Sequence, residues 1–200
     1  MNLGFFASHD GSNMQAIIDA CKSGVLQARP SVVISNNSNS GAIERAKNER
    51  IPYYHLSSKS HTSPETLDIA VLSILQLHRV DIVILAGYMK KLGQNTLSHY
   101  KNRVLNIHPA LLPKFGGKGM YGQKVHEAVL EAGETKTGVS IHIVDEEYDT
   151  GPVIAQAKVS VMPGDTVTTL SKRVLEKEHM FFIETLQAIL RGDIDLSVYL

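Results

Sequence analysis

Leu3-Gly4-Phe5-Phe6-Ala7-Ser8-His9-Asp10-Gly11-Ser12-Asn13 gives five residues of strand character, a small polar loop and the start of an amphipathic stretch. In an open α/β sheet this is where a strand hands over to a helix, and where backbone N–H groups and the helix dipole converge on an anion. Gly11 permits close approach, although Ser12 or Asn13 could equally act as a plain N-cap, and neither a three-glycine dinucleotide fingerprint nor a Gly-Lys-Ser/Thr loop is present. Outward from this unit the alternation repeats. Residues 31–35, 81–86 and 104–107 read as further strands, and 12–23, 41–49 and 64–79 carry apolar residues at helical spacing. Ile69, Leu72, Leu75 and Leu77 are expected to line one side of the third helix. Right-handed crossovers between parallel strands place helices on both faces of the sheet.

After Pro113 the character changes. A glycine-rich stretch at 116–122 precedes a helix near 125–132, two Val/Ile-rich segments at 138–144 and 153–161 suggest an antiparallel pair, and a long helix runs from about 166 to 190. The expectation is one α/β domain over residues 1–200. Its mostly parallel, doubly wound, Rossmann-like sheet has a nucleotide-binding-like half at 1–108 and a second half at 109–200 that holds the antiparallel pair.

Composition narrows the function. With 43% hydrophobic residues in 200, the chain suffices for one well-cored domain. Lys+Arg and Asp+Glu each total 20, and no like-charge run marks a nucleic-acid footprint. Cys21 is the single cysteine, so no internal disulfide or thiolate cluster can form, and a reducing, cytoplasmic setting is expected. Residues 1–7 lack a basic leader, and no stretch approaches the ~20 apolar residues of a membrane span, so a soluble protein without membrane contact is expected. No His-Glu-x-x-His or clustered Cys/His spacing occurs, so no metal is expected.

Asn106-Ile107-His108-Pro109-Ala110-Leu111-Leu112-Pro113 ends a strand with an amide and an imidazole two residues apart, on one side of the strand. Two prolines then restrict the backbone. A second cluster, Val144-Asp145-Glu146-Glu147-Tyr148-Asp149-Thr150-Gly151-Pro152, is mostly a solvated turn. Asp149, before Thr-Gly-Pro, is placed to aim inward. A carboxylate there would orient His108 and favour its imidazolium. Asn106, His108 and Asp149 together suit acyl transfer to an amine without a covalent enzyme intermediate: donors for an oxyanion and a carboxylate for the proton. Cys21, within the first helix, reads as structural. His142 either supports this site or is a hydrogen-bonded core histidine.

Four ordered motifs cover nearly the whole chain: Gly11-Ser12-Asn13, Leu85-Ala86-Gly87-Tyr88-Met89, Asn106-Ile107-His108-Pro109 with Leu111-Leu112-Pro113, and Asp149-Thr150-Gly151-Pro152-Val153-Ile154. This set resembles the folate-dependent formyltransferases, and among them the smaller purine-pathway branch. The resemblance implies that 10-formyltetrahydrofolate donates its formyl group to the glycyl amine of glycinamide ribonucleotide, with Asn106, His108 and Asp149 as the catalytic trio. It implies that Gly11, Ser12, Asn13, Gly87, Pro109 and Glu178 contact the acceptor. Met89, Lys90, Lys91, Leu92, Asn106, Val144 and Asp145 would contact the folate, making 109–200 the folate-binding half.

The chain departs from the family pattern at several places. His9 and Asp10 precede Gly11, putting a carboxylate near an anion; Lys90 stands where an arginine is common; and 116–122 replaces a Pro-Gly and histidine-bearing segment, as a lid or simply a longer turn. Relatives acting on tRNA, sugar nucleotides or water usually carry a further domain, and none is expected here. A sibling transferase for another phosphorylated amine, or a non-catalytic folate or nucleotide binding module, are the competing readings. A monomer or homodimer is expected.

Overall fold

The computed structural model describes residues 1–199. Seven strands form one sheet in the order β3-β2-β1-β4-β5-β6-β7. They are β1 (Asn2–Phe6), β2 (Arg29–Ser35), β3 (Tyr53–His55), β4 (Ile82–Leu85), β5 (Val104–His108), β6 (Lys136–Ile143) and β7 (Val153–Ser160). The first five are parallel, whereas β6 runs antiparallel to β5 and β7 antiparallel to β6. The expected antiparallel pair is therefore present, and the reversal already begins at the β5–β6 seam.

Strand residues alternate between two cores. Leu3, Phe5 and Ala7 join Val33, Ile84, Leu105 and Ile141 on one face, under α1 (Ser12–Lys22), α2 (Gly41–Asn48) and α6 (Val167–Arg191). Phe6, Val32, Ile34, Val83, Leu85 and Val104 join Val71, Leu75 and Tyr100 on the other, under α3 (Pro64–Leu77) and α4 (Gln94–His99). Strands covered on both sides are apolar throughout rather than alternating, which is why the runs were readable. A third cluster, Val129, Val139, Val159, Leu170 and Val174, fixes α5 (Gln123–Glu131) between the antiparallel strands and α6.

The helix stripe expected on α3 is only half right. Leu75 is buried and Leu72 packs against the second core, but Ile69 and Leu77 are 50% and 71% exposed. The face actually turned inward is Asp68, Val71 and Leu75. Asp68 sets this rotation: its carboxylate accepts from the Asn95 and Thr96 backbone N–H groups (2.7 and 3.1 Å) and the Thr96 hydroxyl (2.6 Å), capping α4. Both β3 and α4 escaped the sequence reading.

The connections from β1 lead to β2 and β3 on one side, after which β4 returns to its other side. The order in which strands are added thus reverses between the parallel β1 and β4, opening a crevice beyond their carboxyl ends, the usual ligand position in such sheets.

Candidate active site

Three elements meet beyond that crevice. β5 presents Asn106 and His108 from its last turn of pleat, and the β5–β6 register sets Asn106 opposite His142 and His108 opposite Ser140. The 144–152 turn brings in Asp149, which adopts φ 59, a left-handed conformation tolerated by Asp. The adjoining Gly151 is obligatory, since a Cβ there would lie 1.9 Å from the Ile143 carbonyl oxygen.

The polar groups form one connected set. Asp149 Oδ2 lies 3.4 Å from His108 Nδ1, and its Oδ1 lies 3.4 Å from His142 Nε2. The Gly117 backbone N–H also donates to Oδ2, at 2.9 Å. The amide of Asn106 lies 3.0 Å from His142 Nε2. His142 Nδ1 is 3.0 Å from the Ile143 carbonyl, an acceptor only, so the proton sits on Nδ1 and Nε2 accepts from Asn106. His108 in turn gives its Nε2–H to the Phe115 carbonyl at 2.7 Å.

The loop after His108 is pinned from below by Ser140. This fully buried hydroxyl donates to the Ala110 carbonyl at 2.6 Å and accepts from the Leu112 N–H at 3.0 Å, while Gln156 donates to both Ser140 and the Leu112 carbonyl. Pro109 therefore leads into a rigid segment, as its sequence suggested.

Burial lowers the His108 pKa below the ordinary histidine value, and the nearby Asp149 charge opposes this without reversing it. The imidazolium expected beside Asp149 is thus not the favoured form near neutrality. The low-dielectric surroundings outweigh one carboxylate at 3.4 Å. For Asp149, burial pushes the pKa upward, but its polar surroundings, including the Gly117 N–H that donates to Oδ2, outweigh it, and the carboxyl stays anionic.

A cavity of about 990 Å3 opens on this set, within the range of small-molecule sites. Asn106, His108, Asp149, Met89, Lys90, Gly87, Pro109, Asn13 and Glu178 all line it. Others of the expected contacts do not. Gly11 and Ser12 stay at the start of α1, where Gly11 itself is the N-cap at φ 75 and no side chain caps the helix. Neither Ser12 nor Asn13 is therefore the cap. Lys91 lines a neighbouring cavity instead and pairs with Glu147 at 3.0 Å. Leu92 and Val144 pack against the second core, and Asp145 closes its own turn by accepting from Glu147 N–H and the Thr150 hydroxyl. A hydrophobic side chain near a motif is drawn to the sheet first, and a turn Asp to its own backbone.

Glu178 is not the exposed helical carboxylate its polar neighbours suggest. It is 7% exposed, accepts from Asn13 Nδ2 at 3.0 Å, and burial pushes its pKa up to about 7 against that hydrogen bond. Asn13 Oδ1 is buried without a partner. Asp10 does not confront an anion unpaired, because Arg45 grips both its carboxylate oxygens at 2.9 and 3.1 Å. His126 escaped the sequence reading. It is buried on α5, lines the cavity and leaves Nδ1 unpartnered, with its pKa lowered by burial and by His108. Its surroundings, Val125 and Glu127 to Val129, give no sign of this beyond the helical spacing. Among the described residues, no group of three His, Cys, Asp or Glu side chains could hold a metal ion, and no helix is long and apolar enough to cross a membrane.

A model of the formyl transferase family matches residues 1–186. The chain belongs to that family. As a formyl transferase it is 41% identical over 188 residues to the chloroplastic phosphoribosylglycinamide formyltransferase of Arabidopsis thaliana, covering 94% of this chain and 64% of that protein. It is 39% identical over 182 residues to phosphoribosylglycinamide formyltransferase of Escherichia coli, covering 91% and 84% respectively. The crystal structure of phosphoribosylglycinamide formyltransferase from Bacillus halodurans superposes with a TM-score of 0.88 at 37% identity, over 100% of this chain and 99% of that one. The formyl transferase thus spans somewhat under two thirds of the plant relative's length and most of the bacterial ones.

Proposed function

We propose that the chain transfers the formyl group of 10-formyltetrahydrofolate to the glycyl amine of glycinamide ribonucleotide, a step of purine biosynthesis. What carries this reading is the meeting of Asn106, His108 and Asp149, from two separate segments, at one cavity that also reaches Asn13 and Glu178. The relatives named for this activity supply the substrates.

The acceptor enters along Asn13, Gly87 and Pro109, its phosphate near the start of α1, where the helix dipole and free N–H groups favour an anion. Glu178 and the unpartnered Asn13 Oδ1 take up its polar middle. The folate lies along Met89 and Lys90, with Lys90 toward its carboxylate.

When the amine attacks the formyl carbon, charge develops on the formyl oxygen. The Asn106 amide uses one N–H on His142 and has the second for that oxygen. His108 contributes its Nε2–H by exchanging the Phe115 carbonyl for the oxyanion. Phe115 sits at φ 57, followed by Gly116 and Gly117, where the backbone can shift. The anionic Asp149 takes the proton lost by the amine and shares it with the His108 Nδ1 lone pair that faces it. Collapse breaks the bond to the folate nitrogen, which receives the proton, leaving tetrahydrofolate and the N-formyl product.

Supplying both substrates and following tetrahydrofolate release tests this. Release that depends on glycinamide ribonucleotide is expected. Tight binding with no turnover would identify a binding module, and a better rate with another phosphorylated amine in competition would identify a sibling transferase.

A further inference from the structure

A separate cavity, of about 680 Å3, opens at the opposite edge of the sheet from the candidate active site, beneath the amino ends of β1, β2 and β3. A five-residue strand spans about 16 Å, and the two cavities share no lining residue. The chain as a whole is electrically neutral, yet this cavity is lined by Lys22, Arg29, Arg50 and Arg79 against the single carboxylate of Glu49. That carboxylate is already taken: Lys22 Nζ lies 2.7 Å from one oxygen, and Gln15 donates to the other at 3.0 Å. Asp81, two residues beyond Arg79, accepts from the Asn2 N–H at 2.6 Å and does not line the cavity. Among the described residues, arginine ion pairs are made by Arg45, Arg173 and Arg191, so the three guanidinium groups here face the cavity unpaired. Their placement is a second observation. Arg50 and Arg79 directly follow the C-caps of α2 and α3, at φ 56 and 50, where glycine is the usual residue because a Cβ strains the left-handed backbone. Complementing helix dipoles does not account for the set, since α1 and α2 already carry Lys22, Arg45 and Lys47 in their last turns and Arg29 opens a strand. A third observation is apolar: Leu77, 71% exposed, lines the same cavity as the rings of Pro30 and Pro52.

We propose that this cavity binds a nucleoside di- or triphosphate, with its phosphates on Arg29, Arg50 and Arg79 and its base on Leu77 and the two prolines. A guanidinium fork meets phosphate oxygens two at a time, and three forks from separate segments match a chain of phosphates rather than one. The apolar side chains in the same cavity suit the flat face of a base, which inorganic polyphosphate lacks. The volume lies within the range of small-molecule sites. This site uses none of the residues that face the formyl group, and its binding can be read without turnover.

The test is calorimetric titration at low salt with magnesium-free ATP and with inorganic tripolyphosphate, on the unsubstituted chain, on the double variant Arg50→Gly/Arg79→Gly and on Leu77→Asn. Glycine suits both left-handed positions and Leu77 stands mostly in water, so all three proteins stay folded, with melting temperatures at or above that of the unsubstituted chain for the double variant. ATP is expected to bind about tenfold tighter than tripolyphosphate, the scale for burying one face of a base on apolar side chains. Because the arginines are solvent-exposed, each contributes a few-fold, and the double variant should weaken both ligands about tenfold. Leu77→Asn should weaken ATP about threefold and leave tripolyphosphate unchanged. ATP binding that the double variant leaves intact would place the nucleotide elsewhere and overturn the proposal, as would the absence of ATP binding at millimolar concentration. Tripolyphosphate binding as tightly as ATP, with Leu77→Asn without effect, would assign the cavity to a bare phosphate chain and overturn the nucleotide assignment.

Discussion

His108 is held between opposing influences, and its behaviour can be read from both. Burial disfavours the charged ring, Asp149 favours it, and burial prevails. Replacing His108 by Ala removes a donor aimed at developing charge, and losses of about 100-fold or more in turnover are the scale for such a donor, with acceptor binding little changed. A tenfold loss, measured as kcat under saturating substrates, would refute the role given to it. Asp149→Asn removes the larger of the two influences that oppose burial, leaving the Phe115 hydrogen bond, so the His108 pKa falls further. A neutral His108 is needed to share the amine proton, so activity declines as pH falls below the ordinary histidine value of 6.5, and in Asp149→Asn this acid limb moves to lower pH. The rate itself should fall at least 100-fold, the range for losing a proton acceptor. A limb that moves to higher pH would show that Asp149 does not act on the ring.

At the scale of elements, α4 depends on a residue from another helix. Gly93, its N-cap, has no side chain to offer, and a Cβ there would lie 2.2 Å from Asp68 Cγ, so Asp68 caps α4 from α3. Asp68→Ala should cost about 2 kcal/mol, the upper range for a lost cap, because three donors are left in a buried place. A urea midpoint within error of the unsubstituted protein would contradict this. The same element explains what the sequence concealed. Six residues of α4 and three of β3 are too short to show a period, and Ile69 and Leu77 mimic a stripe that Asp68 rotates away from the sheet. By contrast, the buried strands and the long helices announce themselves through continuous apolar runs or 3.6-residue spacing. In the site, Asn106, His108 and Asp149 were legible because prolines and glycines mark their turns. The sequence left His142 open between supporting this site and being a core histidine, and the contact with Asn106 across the seam puts it beside the site. His126 and the burial of Glu178 were not legible, since each depends on a partner distant in sequence: His108 and Asn13.

For the whole molecule, the site carries a cost in stability. A carboxyl with a pKa near 4.5 in the unfolded chain and about 7 when folded binds its proton more tightly in the folded state. Stability therefore falls as pH rises from 4.5 to 7, and the full penalty, about 3 kcal/mol, stands above pH 7. Glu178→Gln should accordingly raise the melting temperature at pH 8 by several degrees, at 2–4 °C per kcal/mol for a domain of this size, while leaving it nearly unchanged at pH 4 and weakening acceptor use. Equal gains at both pH values would trace the effect to packing rather than to charge.

The seam between β5 and β6 has its own consequence for how this protein can change. Neighbouring positions along an extended strand point to opposite sides, so inserting or deleting one residue in β6 upstream of His142 would exchange every inward and outward side chain beyond that point. The imidazole would rotate out of reach of Asn106 and an isoleucine would take its place. Variation here can thus proceed by replacement but not by single-residue length change, and indels compatible with activity should be confined to the turns on either side of that strand.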